Sequence, residues 1–154
     1  MKLTEKPIPI GADHRGVALK TRLSEWLRAN GYGVTDWGTN SDAERVDAMD
    51  YALRVVAEIK SGRSDFAIAI CGSGQMMAMT ANRFAFIRAT LVHTAKEAVW
   101  ARQHGDANVL ILGADVIDGA TAEEILSIFL STAPQGERYA KRRESLAKLD
   151  ISAL

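Results

Sequence analysis

One cysteine dominates the chemistry available to this chain. Cys71 stands at the end of the apolar run Phe66 to Ile70 and opens the tight loop Cys71-Gly72-Ser73-Gly74, after which Met76 to Arg83 reads as a helix. A strand end facing a helix start is where open α/β sheets hold their ligands. The unpaired N–H groups of such a helix start favour an anion. A thiol placed there can act as a base or a nucleophile, and Gly72 and Gly74 let backbone approach a ligand closely. Ser73 would lie beside any oxyanion held by that loop, or would simply cap the helix. A buried structural cysteine is the other reading of Cys71.

Three further segments carry polar residues of the right types. Asp13-His14 precedes a helix: Asp13 suits a helix cap, and His14 can bind an anion when protonated. His104 lies in Arg102-Gln103-His104-Gly105-Asp106-Ala107-Asn108, where it could also do no more than satisfy a helix C-terminus. Arg138 and Arg142 are spaced to share one helix face. They suit a phosphate clamp, or a solvated surface with Lys141, Arg143 and Lys148. We expect all four segments at the C-terminal ends of strands. Combined, they describe an anion pocket with a thiolate, two histidines and paired guanidiniums, which suits a phosphorylated sugar. Moving a proton between adjacent carbons requires one base, a polarised carbonyl and donors for the enediolate.

The elements that must position these residues alternate between strand and helix. Pro7 to Gly11, Tyr32 to Trp37, Phe66 to Ile70, Ala89 to Val92 and Val109 to Leu112 read as strands. Val17 to Asn30, Val46 to Lys60, Lys96 to Gln103, Ala120 to Leu130 and Glu137 to Leu149 read as helices. Repeated βα units predict an α/β fold, a mainly parallel sheet of about five strands covered by helices on both faces. A length of 154 residues fits a single domain spanning 1–154.

Nineteen basic and nineteen acidic residues give no net charge, against a nucleic-acid binder that relies on a general positive field. One cysteine rules out an internal disulfide and fits a reducing, cytoplasmic setting. No apolar run approaches a membrane span. Gly72-x-Gly74-x-x-Met77 lacks the third glycine of a dinucleotide fingerprint, and Gly11 to Gly16 lacks the ending of a P-loop. Neither a cofactor nor a metal motif is present in the sequence.

The chain also resembles a known family. Gly11-Ala12-Asp13-His14-Arg15-Gly16 with Leu19-Lys20 is similar to the opening of type B ribose-5-phosphate isomerases and the related galactose-6-phosphate isomerase subunits. Gly38-Thr39, Cys71 to Gly74, Ala81-Asn82-Arg83, Ile87-Arg88-Ala89, Arg102-Gln103-His104, Asn108-Val109-Leu110 and Gly136-x-Arg138 with Arg142 continue the likeness from Pro9 to Leu149. It implies a three-layer α/β/α, Rossmann-like domain and a metal-free aldose–ketose isomerase. It also implies a homodimer or dimer of dimers with active sites at the subunit interface.

By position, the resemblance implies Cys71 as the base between C1 and C2, with Ser73 assisting the proton. Gly72 to Gly74 would stabilise the enediolate, and His104, helped by Asp13, would open the sugar ring. His14, Arg138 and Arg142 would hold the phosphate. The chain departs from the family at Met76 and Gly105, where glycine and asparagine are usual. It departs again at Ala48-Met49, at Tyr139 in place of a frequent histidine, and at Asp115 in place of a phosphate-binding arginine. Of these changes, Met76, Gly105 and Asp115 point to a sugar phosphate other than ribose 5-phosphate. The non-enzymatic alternative is a sugar-phosphate-binding or interaction protein of the same fold, which would need no thiolate.

Overall fold

The computed structural model describes residues 2–154. Five short apolar segments form one parallel sheet: β1 (Ile8–Ala12), β2 (Val34–Asp36), β3 (Ala67–Cys71), β4 (Ala89–Leu91) and β5 (Val109–Gly113), in the order β2-β1-β3-β5-β4. The three central strands β1, β3 and β5 are buried along their whole length, which matches their unbroken apolar character.

Period-two alternation divides the core into two layers. On β3, Ile68 and Ile70 face α1 (Val17–Ala29), α4 (Ala95–Gln103) and α5 (Gly119–Ser131). Ala67, Ala69 and Cys71 face the opposite layer, α2 (Ala48–Lys60) and α3 (Gln75–Ala81). The predicted three-layer α/β/α arrangement is therefore correct. A sixth helix, α6 (Arg138–Ala147), buries none of its residues.

The helix limits follow from their caps. Asp47 accepts from Met49 N–H, so α2 starts at Ala48 rather than at the predicted Val46. Thr94 and Asp118 cap α4 and α5 in the same way. Glu137, predicted inside the last helix, takes a positive φ of 50° and lies just outside α6. Among the described residues no helix is long and apolar enough to cross a membrane.

The connections place the site. The chain leaves β1 for β2 on one side, then returns to build β3, β5 and β4 on the other. After β1 it enters α1 on one face of the sheet, and after β3 it enters α3 on the other face. The C-terminal ends of β1 and β3 thus flank a topological switch point, where the diverging connections leave a crevice for a ligand.

Candidate active site

The crevice between β1 and β3 is built mainly from backbone. Cys71, the last residue of β3, is 5% exposed, and its Sγ accepts the Gly74 N–H at 3.1 Å. Gly74 makes that contact with φ at 78°, a conformation that favours glycine, and any Cβ there would collide with Leu91. Ser73 Oγ accepts from Gln75 N–H at 3.2 Å just before α3, whose N-cap is Gly74. Asp13 Oδ1 accepts from Arg15 N–H at 2.9 Å and caps the short 3-10 turn His14–Gly16. Asp13 has the capping role foreseen for it, whereas Gly74 and not Ser73 occupies the N-cap of α3.

His14 faces the same crevice from β1. Its Nδ1 accepts the Val46 N–H at 3.3 Å, which leaves the proton of the neutral ring on Nε2. Val46 belongs to the segment after β2, and buried Lys20 anchors the start of that segment. The Lys20 ammonium, 2% exposed, donates to both oxygens of Asp36 and to Asn40 Oδ1 at 2.8–2.9 Å.

His104 and the two arginines stand elsewhere. His104 is the C-cap of α4, and α4 runs back to the beginning of β5. The register pairs Ala67 with Val109 and Cys71 with Gly113. His104 therefore sits at the N-terminal edge of the sheet, separated from Cys71 by at least the length of a strand, roughly 15 Å at 3.3 Å per residue. The expectation that all four segments lie at strand C-terminal ends is corrected here. In a parallel sheet only βα loops occupy that edge, whereas the αβ loop after α4 returns to the other one.

Long side chains hold this second edge together. Arg102 is 2% exposed, with its guanidinium over Phe66 and Phe129, and it donates to Asp106, Ala107 O and Thr132 O. Burial draws the Arg102 guanidinium below its ordinary pKa, and the facing Asp106 carboxylate opposes that shift. Arg88 donates to Gly105 O and to Asp106, which takes a φ of 45°. Arg143 ties α6 down through His104 O and Gln135 O. The His104 ring stacks on Tyr139, with centroids 4.3 Å apart and planes 4° from parallel. Arg138 and Arg142 both lie against that Tyr139 ring. A cavity of about 630 Å³ opens beside them, bounded among others by Arg83, Arg88, His104, Arg142 and Arg143, a lining rich in positive charge.

The ribose/galactose isomerase family model matches residues 8–146. The chain belongs to this family. Ribose-5-phosphate isomerase B of Escherichia coli is 36% identical over 145 residues, 94% of this chain and 97% of that protein. The D-erythrulose-4-phosphate isomerase of Pectobacterium atrosepticum is 33% identical over 139 residues, 90% of this chain and 91% of that one. A crystal structure of a ribose 5-phosphate isomerase from Thermotoga maritima superposes with a TM-score of 0.91 at 38% identity, covering 95% of this chain and all of the other. The chain is accordingly an enzyme, a sugar-phosphate isomerase of the aldose–ketose type. The reading as a module without turnover is set aside.

Within this isomerase the foreseen residues fall into two groups. Asp13, His14, Cys71, Gly72, Ser73 and Gly74 are brought together at one edge, and His104, Arg138 and Arg142 at the other. Sequence reasoning passed over Arg102, whose partners lie up to thirty residues away. It noted Tyr139 only as a departure. Asp115, which stands in the place of a phosphate-binding arginine, is paired with Arg15. Met76 is exposed on the first turn of α3. Among the described residues no group of three or more His, Cys, Asp or Glu side chains is placed to hold a metal ion.

Proposed function

We propose that the enzyme interconverts a phosphorylated aldose and its ketose through a cis-enediolate, with Cys71 as the base. The substrate is ribose 5-phosphate/ribulose 5-phosphate or a related sugar phosphate, and the relatives' names bracket four- and five-carbon chains. The observation that carries this reading is the Cys71 sulfur, seated at the switch point and accepting the Gly74 N–H. A thiolate accepts that bond more strongly than a thiol does.

In this mechanism Cys71 removes the proton from the carbon beside the carbonyl and returns it to the neighbouring carbon. The loop amides from Gly72 to Gly74 stabilise the negative oxygen between the two steps. Ser73 relays the hydroxyl proton. His104, with Asp13, opens the cyclic sugar, while His14 Nε2–H, Arg138 and Arg142 hold the phosphate.

The two groups lie at opposite edges of one sheet, so the reading needs a second copy of the chain. His104, Arg138 and Arg142 of one subunit complete the crevice that holds Cys71 and His14 of the other. The working unit is then a homodimer, or a dimer of dimers, with sites at the subunit interface.

The test is direct assay of the purified protein with four-, five- and six-carbon aldose phosphates, following ketose formation and solvent-deuterium incorporation at the carbon beside the carbonyl. Conversion with exchange at that carbon is the expected result. Absence of turnover across the series would overturn the reading.

A further inference from the structure

Arg15 and Asp115 form an ion pair directly over the catalytic loop. Arg15 Nε and Nη2 both reach Asp115 Oδ2, at 2.7 and 2.6 Å. A Cβ at Gly72 would lie 2.6 Å from that oxygen, 2.8 Å from Arg15 Nε and 3.0 Å from Arg15 Cδ. Gly72, next to Cys71, thus leaves exactly the space that the pair fills, and a larger residue would displace it.

Both partners are fixed at the backbone. Arg15 N–H is held by Asp13, and Asp115 N–H donates to Gly72 O at 3.0 Å. Ala114 N–H donates to Cys71 O at 2.9 Å, which joins the end of β5 to the same loop.

Stability does not account for this arrangement. The side chains are 57% and 47% exposed, and an ion pair that open to water contributes little to folding. The contacts converge on one carboxylate oxygen. Asp115 Oδ1 and Arg15 Nη1 therefore have no protein partner among the described residues. The pair thus keeps one free acceptor and one free donor near the catalytic loop, and carries no net charge.

That combination discriminates between the two ends of a sugar phosphate. A phosphate dianion meets the guanidinium and the carboxylate together and gains little. A hydroxyl is both donor and acceptor: it can donate to Asp115 Oδ1 or accept from Arg15 Nη1. We infer that Arg15 and Asp115 are specificity-determining residues that bind a hydroxyl of the sugar chain and so select substrates by chain length and hydroxyl position. The inference rests on the isomerase reading above and adds a recognition role for residues outside the acid–base and phosphate-binding sets.

The experiment compares kcat/KM for erythrose 4-phosphate and ribose 5-phosphate in the wild type, Arg15→Met, Asp115→Asn and the double variant, with thermal melting of each. The expected result is a change of tenfold or more in the ratio of the two specificity constants in each single variant. The double variant should change it no further, because the pair binds as a unit. Melting temperatures should stay near that of the wild type. Equal losses on both substrates, or a constant ratio, would overturn the inference while leaving the isomerase reading intact. A wild type that converts neither substrate, nor any other in the wider series, would remove both.

Discussion

The two edges of the sheet are built by different means. At the C-terminal edge, the geometry around Cys71 comes mainly from neighbours in sequence, a positive-φ Gly74 and Ser73 bound to Gln75 N–H, with backbone bonds from Ala114 and Asp115 after β5. At the N-terminal edge, His104 is held by side chains that cross long stretches of chain. Tyr139 stacks on its ring, Arg143 binds its carbonyl, and Arg102 and Arg88 converge on Asp106. A base must meet one carbon at one distance, and short backbone loops fix it firmly. Recognition of a charged, flexible ligand suits arginines, which reach far and bind in a plane.

The sharpest way to break this contrast is at Cys71. Cys71→Ser keeps the loop and its size but removes the thiolate. Turnover should fall roughly 10²–10⁴-fold, the usual worth of a positioned acid–base group, with KM and melting temperature little changed. Steady-state kinetics and calorimetry check both halves, and near-native turnover would take Cys71 out of the mechanism.

Arg102 is the counterpart at the other edge, and there stability should suffer. Arg102→Met leaves Asp106 and the Ala107 and Thr132 carbonyls short of a donor. It should cost about 1–3 kcal/mol, as leaving buried acceptors without a donor does, read by denaturant unfolding. A loss below about 1 kcal/mol would mean that Arg88 holds the Asp106 turn unaided.

This difference in construction also explains how much the sequence discloses. The Cys71 loop is legible because its determinants are contiguous: an apolar strand, one thiol, two glycines and a helix start. The alternation of strands and helices yields the α/β class for the same reason. The Tyr139–His104 stack joins residues on α6 and at the end of α4, and nothing local announces it. The separation of His104 from Cys71 was within reach, because β-to-α and α-to-β links occupy opposite edges of any parallel sheet. The Arg15–Asp115 pair spans a hundred residues, and Asp115 read alone suggests the wrong local charge.

A smaller effect concerns the phosphate. Arg142→Ala should weaken binding of a sugar phosphate about tenfold or more, the loss of one charge-assisted contact, and barely alter binding of the unphosphorylated sugar. Isothermal titration of both ligands measures it. Equal losses would make Arg142 a structural partner of Tyr139.

The smallest expected effect is on acid stability, and it too belongs to the N-terminal edge. Hydrogen bonds from Lys6 and Thr4 hold the Asp65 carboxyl below its ordinary pKa, and Arg63 does the same for Glu58. Groups with depressed folded-state pKa values stabilise the fold above their unfolded values, about 4. They lose that contribution as pH falls through the folded values. Melting temperature should therefore drop below about pH 4, and Asp65→Asn should flatten that drop slightly. An unchanged slope would detach the pair from acid unfolding.

The central claim is that one active site draws its two halves from two copies of the chain. Cys71→Ala and His104→Ala proteins, each nearly inactive, are mixed, unfolded and refolded together. Random reassortment in a two-fold dimer should restore roughly one quarter of wild-type activity, because half the molecules are hybrids and each hybrid holds one intact site. A mixture no more active than its parents would contradict the shared site and return all of the chemistry to a single chain.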